Sequence, residues 1–125
     1  MKVKISLIVT SHDDRFNLLD PRRVKVLLSE DNAPPAKYIS TKNEDETLRE
    51  ICENCLNYHY DWLLKDLTAF RVLNSSEAEV VYLTTVPAMD SCNKTGRFYS
   101  AKQLEEVEID KFYVQLISKF GAARR

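Results

Sequence analysis

The feature that most constrains this chain is a change of apolar spacing at Asn43. Leu48, Ile51, Cys52 and Cys55 recur at three- and four-residue steps, the pattern of a helix with one buried stripe. Asn43 is placed to cap that helix, and Glu44, Asp45 and Glu46 put negative charge in its first turn, where the backbone dipole favours it. The segments before it alternate with a period of two. Val3, Ile5, Leu7 and Val9 oppose Lys4 and Ser6 across Lys2 to Thr10, the mark of a half-buried strand. Val24, Val26 and Leu28 repeat the pattern over Arg22 to Ser29, where Leu27 suggests partial cover on the second face. Pro34 and Pro35 interrupt it before a short strand at Lys37 to Ser40.

Strand spacing returns after the helix. Trp62 to Leu73 reads as one or two extended pieces, and a turn at Asn74 to Ser76 joins it to Glu79 to Val86, which Pro87 ends. Loops are expected over Ser11 to Pro21 and around Asp90, Asn93 and Gly96. A brief strand at Arg97 to Tyr99 precedes a short helix, Ala101 to Glu106, capped by Ser100. Phe112, Tyr113, Leu116, Ile117 and Phe120 line one side of a last helix, Asp110 to Phe120, with Gly121 as its stop. Three strands, a helix, a hairpin, a strand and a helix make an α+β fold.

A length of 125 residues suits a single domain spanning 1–125. None of its apolar runs approaches the roughly 20 residues that cross a bilayer, and the alternating start is unlike a signal peptide, so no membrane association is expected. The 18 basic and 19 acidic residues nearly cancel, leaving no global field to draw nucleic acid; Arg22-Arg23 and Arg124-Arg125 read as solvated edges. An odd set of 3 cysteines without secretory context points to thiols in a reducing cytosol, of a cell or of an infected host.

The chemistry concentrates in Arg49-Glu50-Ile51-Cys52-Glu53-Asn54. Glu50 and Glu53, three apart on a helix, share a face and are the candidate metal ligands, with Arg49 as the candidate orienting residue. This string resembles the Arg-Glu-aliphatic-x-Glu-Glu core of the Nudix box. The order of elements is similar to the Nudix fold, an α/β/α sandwich around a mixed sheet. Val24 to Leu28 resembles the strand before the box, and Phe98 to Val107 resembles the family's closing stretch.

The resemblance implies a diphosphate hydrolase in which the helix glutamates hold Mg²⁺ and activate water. The match is incomplete. Anchored on Arg49, the pattern puts Pro35 and Thr41 where the first glycine and first glutamate belong, Asn54 at an acidic position, and Leu56 and Asn57 at the closing glycine and aliphatic positions. Proline cannot supply the positive-φ backbone that glycine allows. The leading reading is therefore a degenerate Nudix-like domain, non-hydrolytic and without a cofactor, acting as a protein-interaction or assembly module or as a homo-oligomer. The alternatives are a weak Mg²⁺-dependent hydrolase of nucleoside diphosphate compounds and a sensor that binds an ADP-ribose-like nucleotide. Without the resemblance, Glu50 and Glu53 are solvated helix charges paired with Arg49 or nearby lysines.

Two other groups carry possible chemistry. Tyr60 and Trp62, with Tyr58 and Asp61 beside them, are candidate stacking surfaces for a nucleotide ring, against the alternative of rim packing. Cys52, Cys55 and His59 would share one side of a helix continued to residue 59 and could offer zinc three ligands, with Cys92 or His12 needed to complete the site. Packing of two small thiols beside Leu48 and Ile51 explains the cysteines more simply. A cysteine nucleophile has only His12 and His59 as possible bases, and no phosphate-binding glycine loop is present.

Overall fold

The computed structural model describes residues 2–12, 24–39, 43–57, 59–87 and 94–123. The elements are β1 (Lys2–His12), β2 (Val24–Leu28), β3 (Ala36–Tyr38), α1 (Glu44–Cys55), a 3-10 turn (Tyr60–Trp62), β4 (Asp66–Asn74), β5 (Glu77–Pro87), β6 (Arg97–Ser100), α2 (Ala101–Leu104) and α3 (Lys111–Ala123). They form a 6-stranded sheet in the order β4-β5-β1-β2-β6, with β3 added to β1. β1 and β5 run parallel along their whole length, and the remaining pairs are antiparallel. The second edge of β1 is divided: β3 pairs with Lys4 to Ser6, and β2 pairs with Thr10 to His12.

Each face of the sheet carries its own core. Ile5, Leu7 and Val9 pack with Leu48, Ile51, Cys52 and Cys55 of α1, and with Leu56, Tyr60 and Leu63. Ile8, Val26, Leu28, Val81 and Leu83 pack with Tyr113 of α3, flanked by Phe112, Leu116 and Ile117. The result is an α/β/α sandwich, as the resemblance implies. Removing a buried side chain such as Ile51 from the α1 stripe costs about 2–5 kcal/mol, because the cavity left behind closes only in part.

The caps are as expected. Asn43 Oδ1 accepts the Glu46 amide at 2.8 Å, and Ser100 forms a reciprocal capping box with Gln103. At the hairpin, Asn74 Oδ1 accepts the Ser76 amide at 2.9 Å. The other end of α1 is finished from a distance. No basic residue stands in its last turn, and Lys94 supplies the missing donors, with its amide on the Cys55 carbonyl (2.7 Å) and its ammonium on the Glu53 carbonyl (2.9 Å). Gly96 next to it has φ +75° and lies so close to β2 that an added Cβ would stand 2.5 Å from the Leu28 carbonyl oxygen.

Five expectations need correction. β1 is buried on both faces, including Ser6 and Thr10, because α3 packs on the face that alternation assigned to solvent and the parallel neighbour β5 covers one edge. Trp62 begins no strand: His59 caps a 3-10 turn through Asp61, and β4 starts only at Asp66. α1 ends at Cys55 with Leu56 extended, so His59 leaves the side of Cys52 and Cys55 on which the zinc reading relied. α2 stops at Leu104 instead of Glu106. α3 continues through Gly121 to Ala123, since glycine in a helix is a weak penalty rather than a barrier. The loop beyond His12, through residue 21, and Asp90, Cys92 and Asn93 lie outside the described residues, as do Thr41 and Tyr58.

Candidate functional site

Glu50 and Glu53 stand about one turn apart on α1, but their partners differ. Lys37 on β3 pairs with Ile5 in register, which aims its side chain at the α1 face of the sheet. Its ammonium lies 2.5 Å from Glu50 Oε2. Glu53 is exposed and meets Arg49 Nη1 at 4.0 Å, while Arg49 Nη2 reaches Asp61 Oδ1 at 3.2 Å. Asn54 is exposed on the next position. Among the described residues, no three His, Cys, Asp or Glu side chains converge as a group able to hold a metal ion.

A cleft of about 440 Å³ opens beside this end of α1. Ile51, Asn54 and Cys55 line one wall, the loop from Ser29 through Pro35 and strand β3 line another, and Lys4 and Thr95 contribute from β1 and the segment before β6. The loop is held by Ser29, whose hydroxyl bonds to Asp31 and to the Ala33 carbonyl, and by Asn32 in the left-handed region at φ 58°. Pro35 and Asn54, two positions where the chain departs from the box, therefore face the same cleft.

Tyr60 is 4% exposed. Its hydroxyl donates to Asp45 Oδ1 at 2.6 Å, and its ring already carries the Arg49 guanidinium (4.4 Å) and the Lys65 ammonium (3.6 Å). Burial first, then the bond to Asp45, push its pKa upward. A base stacked on this ring would have to displace a cation. The Trp62 backbone belongs to the 3-10 turn; its side chain lies outside the described residues. Cys52 is buried in the α1 core, and burial pushes its thiol up to about 11, which opposes a nucleophilic role.

A heavily bonded ionisable group lies on the opposite face and was not singled out from the sequence. Glu79 on β5 is fully buried and accepts hydrogen bonds from the Ser6 hydroxyl (2.5 Å), the Arg71 Nε (2.7 Å) and the Tyr113 hydroxyl. Arg71 also reaches Asp110 Oδ2 at 3.0 Å and lies over the Phe112 ring at 4.0 Å. Burial alone would raise the pKa of Glu79, but the bonds from Ser6, Tyr113 and Arg71 outweigh it and hold the carboxyl below its ordinary value. This network fastens β1, β4, β5 and α3 together. A glutamate inside a strand pattern was its sequence signal; the partners are too far along the chain to be read locally.

No family model and no curated protein matches the sequence. Solved structures do match over nearly the whole chain. The Ap4A hydrolase of C. elegans aligns with 98% of this chain and 98% of its own at TM-score 0.70 and 11% identity. The NUDIX domain of Shewanella oneidensis NrtR, solved with ADP ribose, aligns with 98% of this chain and 86% of its own at TM-score 0.66 and 14% identity. The fold is Nudix-like. The C-terminal domain of mouse MUTYH, solved in complex with human PCNA, is similar at TM-score 0.71 and 6% identity, covering 99% of this chain and 90% of that one. At such identities the likeness is one of fold, so the Nudix-like domain must be read for function from its own residues.

Proposed function

We propose that this chain is a non-hydrolytic Nudix-like domain that works as a protein-interaction or assembly module in a larger complex in the cytosol. The observation that carries the reading is the Lys37 ammonium on Glu50. It places a positive charge on the carboxylate that the resemblance assigns to Mg²⁺, while Glu53 turns to Arg49 and Asn54 brings an amide in place of a third carboxylate. That donor set does not suit a divalent cation, which needs several anionic oxygens at short range. The PCNA complex of a structurally similar domain supports an interaction role by analogy of fold.

The test is hydrolysis of a panel of nucleoside diphosphate compounds with Mg²⁺ or Mn²⁺. No turnover above a no-enzyme control is expected. Turnover that Glu53→Gln abolishes would establish the metal-dependent hydrolase instead.

The cleft favours a second reading, a nucleotide sensor that binds without cleavage. Its volume suits a small ligand, Lys37 contributes to its lining, and the NrtR domain was solved with ADP ribose. Calorimetry with ADP-ribose in the absence of metal decides it: saturable heat that Lys37→Ala reduces supports the sensor, and no heat leaves the interaction module.

A further inference from the structure

The β4 end of the α1 face is strongly apolar and uncovered by any described helix. Leu67, Phe70 and Val72 are 65%, 63% and 63% exposed. Alternation alone would place Leu67 opposite Phe70 and Val72, but the register shift between Leu67 and Ala69 brings all three to one side. Their partners on β5 are Tyr82, Val80 and Ala78, and Val80 and Tyr82 pack against the α1 core. α1 itself packs over β1 and β3, and so leaves this strip open. Isolated exposed apolar residues are ordinary, whereas a contiguous row on one sheet face marks a binding surface.

The shape of the strip selects its occupant. A second register shift lies between Val72 and Asn74, so irregularities break the outer edge of β4 near both ends and make it a poor template for another strand. The side-chain face is the usable surface, running about 15 Å from Leu67 to Val72 at strand rise, close to three turns of a helix. Its border with α1 is acidic. Glu44 accepts the hydroxyl of Tyr82, the residue paired with Leu67, and Asp45 and Glu46 follow it. The nearby Lys65 is engaged with Tyr60. A second copy would bring the same acidic border, whereas a basic partner would complement it.

We infer that the Leu67–Phe70–Val72 strip is the docking surface for an amphipathic helix of a partner protein, its apolar stripe on β4 and its lysines or arginines toward Glu44 and Asp45. This rests on the interaction-module reading and names the surface and the class of partner. The helix lies beside α1 and extends that layer of the sandwich by one element.

The test is amide chemical-shift mapping on the full chain with a 14-residue leucine–lysine peptide of helical apolar spacing, and with its counterpart carrying glutamate for lysine. The lysine peptide is expected to shift amides of β4, β5 and the first turn of α1, and to bind about tenfold more tightly than the glutamate peptide. Phe70→Ser, at an exposed site that leaves the fold intact, is expected to weaken it by about tenfold, and Glu44→Gln by a few-fold.

Equal affinity of the two peptides, shifts confined to the cleft, or unchanged binding by Phe70→Ser would overturn the inference. So would exchange protection of the outer β4 amides, which means strand addition, or a dimer that Phe70→Ser dissolves. Binding at the cleft would sink only this surface. Hydrolysis in the diphosphate panel would sink the interaction reading itself.

Discussion

The Lys37 ammonium stands 2.5 Å from Glu50 Oε2, joining β3 to α1 at the position where the box resemblance would put a metal. Both partners are partly exposed, with side-chain accessibilities of 48% and 25%, so the pair contributes at most about 1 kcal/mol to stability. Its larger effect is on which ion the site accepts. Replacing Lys37 by Met and Asn54 by Glu together removes one cation and adds one carboxylate. The double variant is expected to bind Mn²⁺ at least about tenfold more tightly than the parent. Titration followed by electron paramagnetic resonance measures this, and equal affinities would show that Lys37 does not govern the site.

Glu79 and Tyr113 bind α3 to the sheet, and the two substitutions should differ in size. Glu79→Ala removes the buried acceptor shared by Arg71, Ser6 and Tyr113, leaving Arg71 its bond to Asp110, and is expected to lower stability by about 3 kcal/mol. Tyr113→Phe removes one hydrogen bond and leaves the ring packed against Phe112, for a loss of about 1–2 kcal/mol. Urea unfolding of each variant checks the ranking; a Glu79→Ala variant as stable as the parent would refute the structural role.

The same network sets the acid limit of the fold. Glu79 binds its proton less tightly in the folded chain than in the unfolded one, so its contribution is present above the ordinary glutamate pKa of about 4.3. That contribution is lost as pH falls through the lower folded value. Asp110 acts in the same direction, held low first by the Phe112 amide and then by Arg71. Unfolding free energy measured from pH 7 downward should therefore decline below about pH 4–5, and Glu79→Gln should flatten the decline.

At high pH the sign reverses. Burial, then the Glu79 bond, raise Tyr113 to about 12, and burial, then the Glu44 bond, raise Tyr82 to about 12. Their contributions are full below the unfolded tyrosine pKa of about 10 and are lost between there and the folded values. The part of the 295 nm tyrosinate absorbance that Tyr82→Phe and Tyr113→Phe remove should consequently rise late, together with unfolding. An early rise, before loss of structure, would place these hydroxyls in contact with solvent.

Gly96→Ala tests the turn that delivers Lys94 and Thr95 to the end of α1. The new Cβ would meet the Leu28 carbonyl at 2.5 Å on a backbone of φ +75°. Neither strain relaxes without moving β2 or β6. A loss of roughly 1–3 kcal/mol is expected. Thermal unfolding measures it, and an unchanged midpoint would mean that the turn can adopt another conformation.

Much of the fold was legible because it depends on local periodicity. Asn43, the acidic first turn and the stripe from Leu48 to Cys55 define α1 without outside help, and the hairpin at Asn74 to Ser76 carries its own turn chemistry. The second buried face of β1 was not legible, because Ser6 looks like a solvent residue until Glu79, from a distant strand, becomes its partner. The candidate site divides in the same way. Spacing put Glu50 and Glu53 on one helix, and the resemblance to the Nudix box marked the missing glycines and the amide at position 54.

Only the tertiary structure decided which charge faces Glu50, whereas the Arg49–Glu53 contact is a local i,i+4 pair. Lys37 meets Glu50 because β3 adds to the N-terminal part of β1, and Arg49 reaches Asp61 as well as Glu53 because the chain after α1 folds into a 3-10 turn. Periodicity is a property of neighbouring residues and survives in the sequence. The partner of a charge depends on strand pairing between residues far apart in the chain, and no local spacing records it.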